Sequence, residues 1–215
     1  MNTTQYKNIL EEYTTKKIAS YIADVVAKGS FQFKIAAHRV SKLGDFSPKQ
    51  GNRNYHRISV NGSLNPYAFF ITFIHELAHL KVWDKYQNKV KSHGDEWKNE
   101  YAKLLIPLIN KNYFPSDISS ALISHVNNIK SATQYDTVLS QTLDKYNENP
   151  ASEDDESIYI TNLKIGDVFV FRGRKFCIKE QKRKLIYCET IPKSRIYAFN
   201  PIAKVKPINI KNEIR

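Results

Sequence analysis

Two histidines four residues apart, His75 and His79, with a glutamate directly after the first, stand inside the apolar segment FFITFIHELAHLKVW. A helix turns once in about 3.6 residues, so side chains four apart share a face and both imidazoles can reach one metal ion. Glu76 is then rotated off that face, beside the ion rather than on it. From there its carboxylate can take a proton from water whose pKa a zinc ion lowers to roughly 7, while the metal polarises a substrate carbonyl. The chemistry implied is metal-assisted hydrolysis. Phe69, Phe70, Ile71, Phe73 and Ile74 precede the pair or lead into it, and Leu77, Ala78, Leu80, Val82 and Trp83 follow. Two histidines and a carboxylate in so apolar a helix need compensation for their polarity, and a metal provides it. The bland alternative is a pair of core histidines satisfied by hydrogen bonds, with Glu76 turned to solvent.

A catalytic zinc site keeps three protein ligands and one open position. The third ligand must come from His38, His56, His93 or His125, or from the carboxylates Asp84, Glu96 and Glu100. His93 is the best placed. It follows a polar stretch, KYQNKVKS, that can turn the chain back, and Gly94 beside it permits tight backbone geometry. Trp97 can anchor the returning chain. His38 and His56 fall in expected strands and could line a cleft, whereas His125 reads as bland. His56, Arg57 and Tyr101 are weak candidates for the group that stabilises an oxyanion.

The elements that must position these residues follow from periodicity and punctuation. Residues 5–28 place Ile9, Tyr13, Ile18, Ile22, Val25 and Val26 at near-helical spacing, with Gly29 as a stop. Residues 31–40 and 55–64 read as strands, and 41–54, rich in turn formers, as a loop. Asn65-Pro66 opens a long helix to about Tyr86, with proline in the first turn where its missing N–H is harmless. A second helix starts near Asp95, carries Trp97, Tyr101, Leu104 and Leu105 on one side, and is ended or kinked by Pro107. Ser116 with Asp117 caps a third helical region over about 117–146. Residues 147–157, NENPASEDDES, are acidic and polar and make the best linker. Short alternating runs over 158–215, broken by Gly, Pro and charges, predict a small all-β module.

The stretch HELAHLKVWDKYQNKVKSHGDEW resembles the SprT-like family of zinc metallopeptidases, which includes the crosslink protease Spartan. The matching elements are His75-Glu76-x-x-His79 and His93-Gly94-x-x-Trp97, with Ile58-Ser59-Val60-Asn61 standing where the family has an Ile-x-x-Asn strand. The resemblance covers roughly residues 5–112. It implies His93 as third ligand, Glu76 as catalytic base, one catalytic Zn2+, and an α+β fold of the minimal zincin type. It also implies cleavage of proteins, including DNA-associated or DNA-crosslinked ones. Many relatives end in a four-cysteine zinc ribbon, whereas this chain has only Cys177 and Cys188. The module at 158–215 therefore reads as a degenerate ribbon or a small SH3-like barrel without metal, its cysteines acting as small buried hydrophobes.

The net charge of +12 is uneven: residues 1–157 hold 19 Lys+Arg against 17 Asp+Glu, and residues 158–215 hold 14 against 4. A module of net +10 suits phosphate backbones. Arg172, Arg174, Lys175, Lys179, Lys182, Arg183 and Lys184 form the candidate nucleic-acid surface, with Tyr187, Tyr197 and Phe199 available for stacking. The bland reading is a solvated basic face over an aromatic core. Two cysteines exclude a disulfide framework, and neither a signal peptide nor a membrane-spanning run is apparent, so the expected location is the cytoplasm. The domains expected are a metallopeptidase domain at 1–146, extended by helix from about 116, then the linker and the basic module. Two functions compete: a zinc endopeptidase acting on protein substrates, and a non-catalytic nucleic-acid-binding protein with a structural zinc.

Overall fold

Asn65 starts the longest helix: its side-chain oxygen accepts from the backbone N–H groups of Tyr67 and Ala68 at 3.2 and 2.9 Å, with Pro66 at the first helical position. In the computed structural model, which describes residues 3–37, 42–127, 129, 136–147, 157–182 and 185–208, that helix runs Pro66–Tyr86. The fold is α+β, and contacts divide the chain into two units: 1–131 with 142–148, and 132–141 with 149–215.

In the first unit the expected helix over 5–28 is two helices, α1 (Thr3–Leu10) and α2 (Lys16–Lys28). Thr15 breaks the run by accepting from the Ile18 N–H, a side-chain cap that competes with helix continuation. Gly29 ends α2 as expected. Strands β1 (Phe31–Ala36), β2 (Gly44–Ser47) and β3 (His56–Asn61) form a sheet in the order β1-β3-β2. β1 runs parallel to β3, from Phe31 opposite His56 to Ala36 opposite Asn61, and β2 antiparallel, from Gly44 opposite Val60 to Ser47 opposite Arg57. β2 corrects the expected loop over 41–54: its four residues are half-buried without alternation, so the strand is defined by pairing with β3 and leaves no period to read. Residues 38–40 of the expected first strand, His38 among them, lie outside the described residues.

The long helix, α3 (Pro66–Tyr86), buries residues on nearly all its faces. Phe69, Phe73 and Ile74 are fully covered alongside Ile18, Ile22, Ile58 and Val60. α4 (Asp95–Asn110) does not stop at Pro107. The proline sits on the exposed side of the helix, where the carbonyl it deprives of a partner, that of exposed Lys103, can bond to water. The expected helix over 117–146 appears as α5 (Ser116–Val126) and α6 (Thr137–Asp144), separated by residues mostly outside the description. Its cap position is Pro115 rather than Ser116, and the Asp117 carboxylate accepts from the Ile118 N–H at 2.8 Å. No described helix is long and apolar enough to cross a membrane.

The second unit holds β4 (Ile158–Tyr159), a 3-10 turn at Ile160–Asn162, β5 (Val168–Phe171), β6 (Arg174–Gln181), β7 (Ile186–Ile191), β8 (Ile196–Phe199) and β9 (Lys204–Ile208). Their order is β4-β9-β5-β6-β7-β8 and every pairing is antiparallel: a meander through β8, after which β9 returns beside β5. Arg172 and Gly173 form the two-residue β5–β6 turn, both at positive φ, the backbone that suits a right-twisted hairpin. The core gathers Ile160, Phe169, Phe176, Ile178, Ile186, Cys188, Phe199 and Val205. Residues 148–156 of the expected linker lie outside the described residues.

Candidate metal centre

One turn of α3 carries His75 and His79 on the same side, as i and i+4 must be. The chain leaves α3 at Gln87, turns through the Lys89 N–H to Tyr86 carbonyl bond at 3.1 Å and the Gly94 N–H to Lys91 carbonyl bond at 3.0 Å, and re-enters helix at Asp95. A side chain on Gly94 would come within 3.2 Å of that Lys91 carbonyl. Lys85 and Glu100, bonded at 2.8 Å, tie α3 to α4 across the turn. The turn delivers His93 to the pair. The three Nε2 atoms form a triangle with sides of 3.2 Å (His75–His79), 3.1 Å (His79–His93) and 3.3 Å (His75–His93).

That triangle fits a metal. A tetrahedral ion with Zn–N bonds of about 2.0–2.1 Å needs nitrogens about 3.3 Å apart. Burial and, for two of them, the neighbouring histidines depress all three basicities. His75 is held well below the usual imidazole range by burial and then by His79, His93 and His125. His79 falls to about 4 through burial and His93, and His93 is lowered by burial. Neutral rings offer lone pairs, and three lone pairs this close repel unless a cation joins them. The three imidazoles are the one such cluster of His, Cys, Asp or Glu among the described residues.

No family model, curated protein or solved structure matches the chain.

Trp97, one turn into α4, packs against all three imidazoles, with ring centroids 4.6, 5.2 and 4.8 Å from those of His75, His79 and His93. Tyr101 stacks on Trp97 at 5.0 Å. Neither the indole N–H nor the Tyr101 hydroxyl finds a hydrogen-bond partner among the described residues, so packing alone orients them. Glu76 is buried outside the triangle. Its carboxylate lies against the backbone of β2: a methyl on Gly44 would meet Glu76 Oε1 at 2.7 Å, Glu76 Cγ at 2.9 Å and Thr72 Cγ2 at 2.6 Å.

The other candidates sit elsewhere. His56 accepts from the Lys49 N–H at 3.1 Å, lies 3.9 Å from Asp84 and stacks on Phe46. Tyr101 is buried, which raises its hydroxyl pKa, with its ring 5.9 Å from that of His75. His125 lies outside the cluster: it is fully buried, edge-on to Tyr101 at 6.0 Å, and close enough to His75 to depress its basicity. Only its spacing from Ile118, Ala121 and Leu122 along the buried face of α5 marked it in the sequence.

The basic residues have different surroundings. Lys179 bonds Glu189 at 2.7 Å, and Lys182 pairs with Glu180 at 3.3 Å while covering the Tyr187 ring. The Arg172 guanidinium lies over Phe171. Arg174 and Lys175 open β6, and Arg183 and Lys184 lie outside the described residues. Phe199 belongs to the core, and Tyr197 is partly exposed. Cys177 and Cys188 stand on adjacent strands but one step out of register, Cys188 opposite Ile178 and Cys177 opposite Glu189, so they point to opposite faces. Cys188 is the buried hydrophobe expected; Cys177 is half-buried.

Proposed function

We propose that the chain is a zinc-dependent endopeptidase of minimal zincin type, holding its ion through His75, His79 and His93 and using Glu76 as general base. The observation that carries this reading is a triangle of Nε2 atoms 3.1–3.3 Å on a side, next to a buried glutamate on the same helical turn. Structural zinc sites close with four protein ligands and have no use for such a carboxylate. The likeness of residues 75–97 to the SprT-like family implies the same ligands, the same base and protein substrates, DNA-associated or DNA-crosslinked proteins among them.

A zinc ion in the triad supplies Lewis acidity toward a carbonyl oxygen and toward water. The rest of the work falls to the chain's own groups. Glu76 accepts the proton from the attacking water and returns it to the leaving amine nitrogen. The Gly44 backbone walls one side of its carboxylate and limits the orientations it can take. Trp97 shields the imidazoles from bulk water and fixes their ring planes.

Glu76→Gln tests the assignment. The variant should keep one zinc per chain and its thermal midpoint while casein cleavage falls by about 10²–10⁴-fold. Cleavage at the parental rate removes Glu76 as the base, and loss of the metal would make it a ligand. The competing reading, a nucleic-acid-binding protein with a structural zinc, draws on the charge of residues 158–215. It requires that the parent protein bind zinc and cleave nothing.

A further inference from the structure

We propose that one end of the β module is a binding groove for single-stranded nucleic acid, with Arg174, Lys193 and Arg195 holding phosphates and Tyr197 stacking on a base. The inference is independent of the metal centre. The β6–β7 register sets Lys175 opposite Ile191, and the β7–β8 register sets Glu189 opposite Ile196. The start of β6 and the β7–β8 turn, nearly twenty residues apart in sequence, therefore lie side by side. Between them is a concave space of about 380 Å³, lined by those three cations and Lys175, with Tyr197, Thr190 and Ile191. Its size matches the lower end of small-ligand pockets, roughly 300–1,000 Å³.

The turn is held in shape. The Thr190 N–H donates to the Arg195 carbonyl at 2.9 Å, the Ser194 N–H to the Thr190 carbonyl at 2.9 Å, and the Arg195 N–H to Thr190 Oγ1 at 3.0 Å. Two cations are thus carried on a fixed hairpin end rather than a loose loop. The module's three described carboxylates each have partners, and Glu189 also bonds Ser194 in the turn. Asp167 accepts from the Lys164 N–H at 2.7 Å, Glu180 pairs with Lys182, and Glu189 pairs with Lys179. Among the described residues no ion pair involves Arg174, Lys193 or Arg195. Like charges gathered in a concavity repel one another and concentrate a positive field that a polyanion relieves.

Apolar surface stands beside those charges. Tyr197, 37% exposed, and Ile191, 45% exposed, both line the space. The Tyr197 ring is braced edge-on by Phe176 at 5.6 Å, so the platform is set before a ligand arrives. Cations flanking an exposed aromatic suit a single strand, whose base faces are open, better than a duplex, whose bases are already stacked.

The test uses the full chain and a labelled oligothymidylate of about 16 nucleotides, followed by fluorescence anisotropy as salt rises. The parent protein should bind it more tightly than a duplex of the same length. Arg174→Gln, Lys193→Gln and Arg195→Gln combined should weaken binding at least about tenfold and reduce the log–log salt slope by about 2, three phosphates at about 0.7 each. Lys179→Gln with Lys182→Gln should stay within about threefold of the parent, because both lysines already have carboxylate partners. Tyr197→Trp adds an indole whose emission should be quenched on binding, beyond the quenching seen in the parent, a readout that does not depend on damaging the fold. Parental affinity and salt slope in the triple variant, equal binding of duplex, or no binding by the parent at low salt would each overturn the proposal.

Discussion

In the helical unit three imidazoles of lowered basicity crowd behind Trp97, their lone pairs turned on one another. In the β module Arg174, Lys193 and Arg195 stand around an open groove. Both regions concentrate nitrogen side chains, yet one set is imidazole whose basicity burial lowers and the other is guanidinium and ammonium. The first can hold a cation and the second an anion. Residue type sets the contrast, imidazole against guanidinium and ammonium, and burial sharpens it by holding the imidazoles neutral.

Removing one nitrogen should separate them most sharply. His79→Ala takes away one of three ligands and should lower zinc affinity on the order of 10³-fold, one ligand's share of a site worth ~10–16 kcal/mol. Competition with a chromophoric chelator measures it. Arg195→Gln should leave zinc untouched and weaken oligonucleotide binding only severalfold. If the His79 variant still carries one zinc per chain at parental affinity, the triad is not the metal centre and the contrast fails.

Gly44 offers a finer cut. The added carbon of Gly44→Ala would sit 2.6–2.9 Å from Thr72 and Glu76, so the carboxylate or the strand must shift. The expected result is a fall of roughly tenfold or more in kcat with zinc content unchanged, since the imidazoles lie outside the clash. A loss confined to KM would place Gly44 in substrate binding and not in positioning the base.

These expectations also mark what could be read from sequence. His75, Glu76 and His79 were legible because a helix makes contacts at fixed short spacing, and Asn65 and Pro66 announced where it begins. His93 could be proposed because the spacer before it is short and polar. β2 escaped notice because Gly44–Ser47 has no alternation and exists through its pairing with β3. Lys193 and Arg195 escaped as partners of Arg174 because strand register, invisible in one sequence, brings them together.

Acidity should treat the two regions differently. The triad's folded basicities lie below those of free imidazole near 6.5, so between those values the unfolded chain binds more protons than the folded one. Stability of the metal-free protein therefore falls with pH from about 6.5 toward 4, where His79 titrates. Zinc affinity should drop over the same range, as protons compete for the ligand nitrogens. The groove offers guanidinium and ammonium groups and no histidine, so oligonucleotide affinity should change by less than about twofold between pH 7 and pH 5.5. Calorimetric melts and anisotropy on the same samples give both curves. Metal-free protein whose midpoint rises on acidification would contradict the lowered imidazole basicities.

The smallest expected effect concerns Cys188, buried among Phe169, Phe176 and Ile178, with its thiol pushed up to about 12 by burial and then by Cys177. A thiol so reluctant to ionise is a poor metal ligand, because zinc takes the thiolate. Cys177 points to the opposite face of the sheet, so the two cannot share an ion without rearranging the strands. Cys188→Ala should then act only through packing. It removes one sulfur from the core, at a cost of about 1 kcal/mol, and lowers the thermal midpoint by a few degrees. Zinc content should stay at one per chain and zinc affinity at the parental value. A fall in either would mean that the β module binds metal itself, and the division between a cation-binding helical unit and an anion-binding sheet would have to be redrawn.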